Sequence, residues 1–80
     1  MEKSMNKIKN IMADILGVDE ESIVSTTRLK EDLNADSLKL VQILLAIEDE
    51  FQIELEDEDA IAVKTFADIE RLMKKYGVDN

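Results

Sequence analysis

The residues best placed to do chemistry are Asp36 and Ser37, within Asn34-Ala35-Asp36-Ser37-Leu38. A charged loop leads into this stretch, and the most apolar helical run of the chain, Leu38 to Phe51, follows it. One serine hydroxyl is therefore expected at the mouth of a helix. Unpaired backbone N–H groups and the positive end of the helix dipole favour an attached phosphate there. Both residue types are also ordinary N-caps, so the dipeptide alone says little more than that a helix starts. The rest of the inventory narrows the chemistry. The chain has no His and no Cys, so it lacks the commonest general base and the best side-chain nucleophile. A self-contained Ser-His-Asp or Cys-His site is excluded. Any thiol chemistry must come from a prosthetic group.

The second candidate is acidic. Residues 48–59 hold eight of the nineteen acids and no base, while both ends of the chain are mildly basic. This run does not read as a calcium loop, which needs ligands at alternate positions and a Gly at its sharp turn. Weak, non-specific divalent binding is the most it suggests, and no metal site is assigned. The formal charge of −9 argues against nucleic acid, which needs a basic footprint. A local acidic patch instead suits basic protein partners and steers their encounter, or it simply keeps the chain in solution.

The elements that must position these residues follow from apolar spacing. Ile8, Ile11, Met12, Ile15 and Leu16 form one stripe of a helix from about Lys3 to Leu16, closed by Gly17. Residues 18–36 make a long connection, with one helical turn at Asp19 to Ile23 and with Val18, Ile23, Val24 and Leu29 spaced to pin it to the core. Leu29 and Leu33 anchor the delivery of Asp36-Ser37; a helix over part of residues 26–34 is possible but weak, because Thr26-Thr27 and Asn34 are poor helix residues. The second long helix runs from about Ser37 to Phe51. Leu38, Val41, Leu44, Leu45, Ile47 and Phe51 cover more than one of its faces, so it should be the central helix. Gln52 to Leu55 is an extended link. Glu56 to Ile61 or Ala62 is a short acidic helix, with Ala60, Ile61 and Val63 facing its central neighbour. Thr65 caps the last helix, with Asp68 at the capping-box position. Phe66, Ile69, Leu72, Met73 and Tyr76 form its stripe, and Gly77 to Asn80 read as a frayed tail.

The whole is an all-α, small four-helix bundle of three longer helices and one short one. Eighty residues with no Pro, no Cys and two Gly suit one small helical domain and give no disulfide framework. No apolar run reaches the length of a membrane span, and the N-terminus lacks the apolar segment of a signal peptide. A cytoplasmic monomer without stable membrane insertion is the expectation.

Asp32-Leu33-Asn34-Ala35-Asp36-Ser37-Leu38, then Val41, then Leu44-Leu45-Ala46-Ile47-Glu48-Asp49-Glu50-Phe51, closely resembles the attachment region of acyl carrier proteins. The order of helices extends the resemblance over about residues 3–76, and the single domain 1–80, with helices at about 3–16, 37–51, 56–62 and 65–76, is similar to the acyl carrier fold. The resemblance implies that Ser37 carries a covalent 4′-phosphopantetheine, added by a phosphopantetheinyl transferase using coenzyme A and a divalent metal. Asp36 would support that attachment, and Leu38 would lie near the base of the arm or against a partner; as a residue type, Leu38 would serve the core equally well. Residues of the central helix would line a small cavity for the acyl chain. The chain itself would catalyse nothing, and would dock acyl-transferring and acyl-modifying enzymes that present basic patches, in fatty acid or related polyketide and specialised lipid synthesis.

Four positions depart from the family pattern. Asn34 stands where Gly is common, Glu56 where Pro is common, and Lys39 and Gln42 where acids often follow the serine. Asn accepts left-handed backbone better than most residues, so the turn can survive. Lys39 and Gln42 remove negative charge beside the attachment site, which points to a specialised carrier with its own partners. The reading from another class is an unmodified structural or regulatory subunit that kept the fold and lost the arm.

Overall fold

The computed structural model describes residues 3–78. Five α-helices follow in order: α1 (Lys3–Leu16), α2 (Leu29–Leu33), α3 (Ser37–Phe51), α4 (Asp57–Ile61) and α5 (Phe66–Lys75), with a 3-10 turn at Glu20–Ser22. No strand occurs among the described residues, only one isolated antiparallel bridge between Arg28 and Thr65.

The helices form where the apolar spacing puts them, and α1 packs along α3. Met5, Ile8 and Met12 of α1 are buried against Ile43, Leu44 and Ile47 of α3 and Phe66, Ile69, Leu72 and Met73 of α5. Full burial of each such side chain contributes on the order of 1.5–3 kcal/mol. Gly17 ends α1 at φ +70, where its N–H and that of Val18 both bond the Ala13 carbonyl, at 2.8 and 3.2 Å. Thr65 opens α5 with both halves of the capping box: its hydroxyl accepts from the Asp68 N–H, and Asp68 accepts from the Thr65 N–H at 3.0 Å.

Several expectations shift. The connection between the long helices contains α2, although its composition disfavours one. The five residues bury Leu29 and Leu33, so tertiary burial outweighs weak intrinsic propensity. Val24 is half exposed rather than pinned; Ile23 and Thr27 do the pinning, with the buried Thr27 hydroxyl accepting the Val24 N–H at 2.8 Å. Ile61 faces α3 only across an open cavity and is 80% exposed, while Val63 is buried. Gly77 and Val78 are not frayed. The Val78 N–H bonds the Met73 carbonyl at 2.8 Å, and Val78 packs on the core. Asp79 and Asn80, the rest of that expected tail, lie outside the described residues.

Candidate phosphopantetheine attachment site

Four local devices present Ser37. First, the Leu29 N–H bonds the Lys64 carbonyl at 2.9 Å, and the Phe66 N–H bonds the Thr27 carbonyl at 3.0 Å. These tie the long connection to the start of α5. Second, Asn34 ends α2 in the left-handed conformation at φ 58 and ψ 33. Its N–H bonds the Lys30 carbonyl at 3.1 Å, and the next N–H, that of Ala35, reaches back to Leu29 at 2.9 Å. Third, Ala35 is fully buried, and Leu33 is nearly so, which fixes the chain one step before the site. Fourth, Asp36 caps α3: its carboxylate Oδ1 accepts the Lys39 N–H at 2.9 Å.

Ser37 is therefore the first residue of a fifteen-residue helix and is exposed. Its hydroxyl makes no hydrogen bond to another described residue. It opens onto a cavity of about 370 Å³ between α2, α3 and α4. Leu29, Leu40, Val41, Leu44, Ala60 and Ile61 give the cavity its apolar wall, and Lys30, Glu31 and Lys64 also line it.

The wide apolar surface of α3 divides into two faces at 100° per residue. Ile43, Leu44 and Ile47 point into the core, whereas Leu38, Val41 and Leu45 are 67%, 51% and 58% exposed on the outward face. Leu38 is thus no core leucine. The buried face is set by its neighbours α1 and α5, so part of this run stays outside despite its hydrophobicity. The Lys39 ammonium is laid against the C-terminal end of α1, donating to the Ile15 carbonyl at 3.2 Å, where a cation suits the helix dipole. Spacing along the sequence did not disclose this, because it depends on the angle between two helices.

The acidic run is mostly free surface. Glu48 turns inward, its Oε2 accepting the Leu55 N–H at 2.7 Å, and Glu50 pairs with Lys7 at 3.3 Å. Asp59 receives Lys75 at 2.9 Å and the Tyr76 hydroxyl at 2.8 Å. Those two partners hold its carboxyl below the usual carboxylate range. No group of three acids among the described residues is placed to hold a metal ion, and no helix among them is long and apolar enough to cross a membrane. The cavity-lining residues Lys30 and Lys64 carry no sequence signal that marks them, whereas Ile61 is expected to face α3; the docking of α2 and α4 on α3 brings all three to the cavity beside Ser37.

A phosphopantetheine arm fits this site. The hydroxyl is accessible and has no partner among the described residues to give up, and helix N–H groups stand beside it. An apolar cavity opens next to it. The comparisons with known proteins agree. Residues 6–73 match the family described as "Phosphopantetheine attachment site". The chain is 43% identical over 76 residues to the acyl carrier protein of Buchnera aphidicola, covering 95% of this chain and 97% of that one. It is 41% identical over 75 residues to that of Lactobacillus acidophilus, covering 94% of each. Its fold superposes on the solved acyl carrier protein of Enterococcus faecalis with a TM-score of 0.79 at 28% identity, covering 94% of this chain and 95% of that chain. Members of that family are non-catalytic: they receive a covalent 4′-phosphopantetheine from a transferase and meet the enzymes that handle acyl groups. The chain belongs to the acyl carrier protein family.

Proposed function

We propose that Ser37 is the attachment residue and that residues 1–80 act as one carrier domain for acyl intermediates of fatty acid or related lipid synthesis, in the cytoplasm and as a monomer. The observation that carries the reading is the exposed Ser37 hydroxyl. It stands without a hydrogen-bond partner among the described residues at the first position of α3, under the Asp36 cap and beside an apolar cavity. Once attached, the arm supplies a terminal thiol that holds acyl groups as thioesters.

The chain's own residues do the positioning. Asn34, Ala35 and the Asp36 cap hold the serine at a fixed place. The Asp36 Oδ2 takes no hydrogen bond from another described residue, so Asp36 can cap α3 and still orient the transferase or its metal. Leu40, Val41, Leu44 and Ala60 offer the cargo a wall away from water. The exposed acids Asp49, Glu54, Glu56, Asp57 and Glu58 form a docking patch for basic partner surfaces, steering encounter more than holding the complex. Lys39 and Gln42 leave the first turns of α3 without acid, which favours partners other than those of a housekeeping carrier.

Intact mass before and after incubation with coenzyme A and a permissive phosphopantetheinyl transferase tests the reading, with Ser37→Ala alongside. A gain of one arm in the natural chain and none in the variant supports it. A folded chain that gains nothing, while a control carrier is modified, favours an armless interaction subunit.

A further inference from the structure

The helix that walls the cavity has almost no apolar hold of its own. None of the five residues of α4 is buried; Ala60 is half-buried, and Ile61 is exposed. A helix this short does not persist unaided. Leu55 before it, Ala60 within it and Val63 after it reach the core, and the rest of the attachment is polar. Lys75 Nζ donates to both Asp59 carboxylate oxygens, at 3.0 and 2.9 Å. The Tyr76 hydroxyl donates to Asp59 Oδ2 at 2.8 Å and accepts the Glu56 N–H at 3.0 Å. One phenol thus holds both the cap and the middle of α4, and it is itself packed against the core. The opposite side of α4, through Ala60 and Ile61, lines the cavity beside Ser37.

We infer that Asp59, Lys75 and Tyr76 form a clasp that holds α4 as the outer wall of this cavity and so sets how well the cavity shelters an aliphatic acyl chain. The inference rests on the carrier reading for the cargo, and on α4 alone for the clasp. These residues are positioning groups: they touch neither the serine nor the cargo. Releasing them loosens the wall without disturbing α1, α3 or the Ser37 cap.

The test uses Tyr76→Phe and Lys75→Met, with Lys7→Met as a control that removes an exposed ion pair between α1 and α3. Amide exchange on the unmodified protein comes first. The expected result is a rise of about tenfold at residues 57–62 in the clasp variants, with α1 and α3 unchanged and no such rise in the control. The second readout is cleavage by hydroxylamine of a hexanoyl or decanoyl thioester on the loaded carrier. Clasp variants should lose protection several-fold, and the control should not. Unchanged exchange in α4, or an equal rise in every helix, would overturn the clasp. Loose α4 amides with unaltered cleavage would overturn its role in sheltering cargo. Failure of the carrier reading shows separately, as a chain that takes no arm by intact mass, and it removes the cargo claim while exchange still decides on the clasp.

Discussion

Asp36 caps α3 and, in the reading we propose, also orients the transferase, and substitution can pull the two roles apart. Its carboxylate accepts the Lys39 N–H at 2.9 Å, which an Asn side-chain carbonyl can also do. Asp36→Asn should therefore keep the cap and lose only the favourable charge at the N-terminus of α3. That loss is about 0.3–1 kcal/mol at an exposed site. Asp36→Ala removes the acceptor as well, at a cost of about 1 kcal/mol within a range of roughly 0.5–2. For a domain of this size each kcal/mol moves the melting temperature by about 4–8 °C, so Ala should melt clearly below Asn. Loading should divide differently. If Asp36 also orients the transferase, both variants should take the arm at least about tenfold more slowly than the natural chain, although Asn stays folded and capped. Thermal unfolding gives the first quantity, and the initial rate of mass gain gives the second. Natural loading by Asp36→Asn would reduce Asp36 to a cap. An unchanged melting temperature in Asp36→Ala would show that even the cap contributes nothing.

Asn34 sits at φ 58, so Asn34→Ala should destabilise by about 1–2 kcal/mol, whereas Asn34→Gly should fall within about 1 kcal/mol of the natural chain; urea unfolding checks both, and equal stability of all three would refute a conformational demand at this turn. Lys39→Asp with Gln42→Glu restores acid beside the serine and should speed loading by standard fatty-acid enzymes, at some cost in stability from the lost contact with Ile15; an unchanged loading rate would remove the basis for specialised docking. Acid should weaken the fold through three carboxylates held below their ordinary range. Asp32 is held there by the Arg28 N–H and guanidinium, and Asp59 by Lys75 and Tyr76. Burial pushes Asp68 up, but the Lys64 and Thr65 N–H groups and Arg71 outweigh it. Because these folded values lie below the unfolded ones, near 3.9, the stability they add is present above about pH 4 and is lost as pH falls through the folded values. Urea midpoints between pH 6 and pH 2.5 should show this decline, and Asp59→Asn should make it shallower.

The long helices are legible because their stripes recur at helical spacing: Ile8 and Met12 in α1, and Phe66, Ile69, Leu72 and Met73 in α5, are all buried. The capping box at Thr65 and Asp68 is legible for the same local reason. What local pattern cannot supply is the partner of each face. Leu38, Val41 and Leu45 look as apolar as Leu44, yet only Leu44 is buried in the core. The helix α2 was disfavoured by composition and exists because Leu29 and Leu33 are buried by other elements. Lys39 was readable as a charge beside the serine, but not as a cap on α1. Ser37 stands out through the Asp-Ser-Leu context; the cavity beside it depends on Lys30, Ile61 and Lys64, which only the docking of three helices assembles.

The central claim is that the covalent group resides on Ser37. Tryptic cleavage after Lys30 and Lys39 releases residues 31–39, in which Ser37 is the only hydroxyl-bearing residue. The most direct measurement is the mass of this peptide from protein loaded with coenzyme A and transferase. The expected result is one phosphopantetheine on the fragment ions that contain Ser37, at near-complete occupancy. An unmodified peptide 31–39 alongside a mass gain elsewhere in the chain would contradict the assignment.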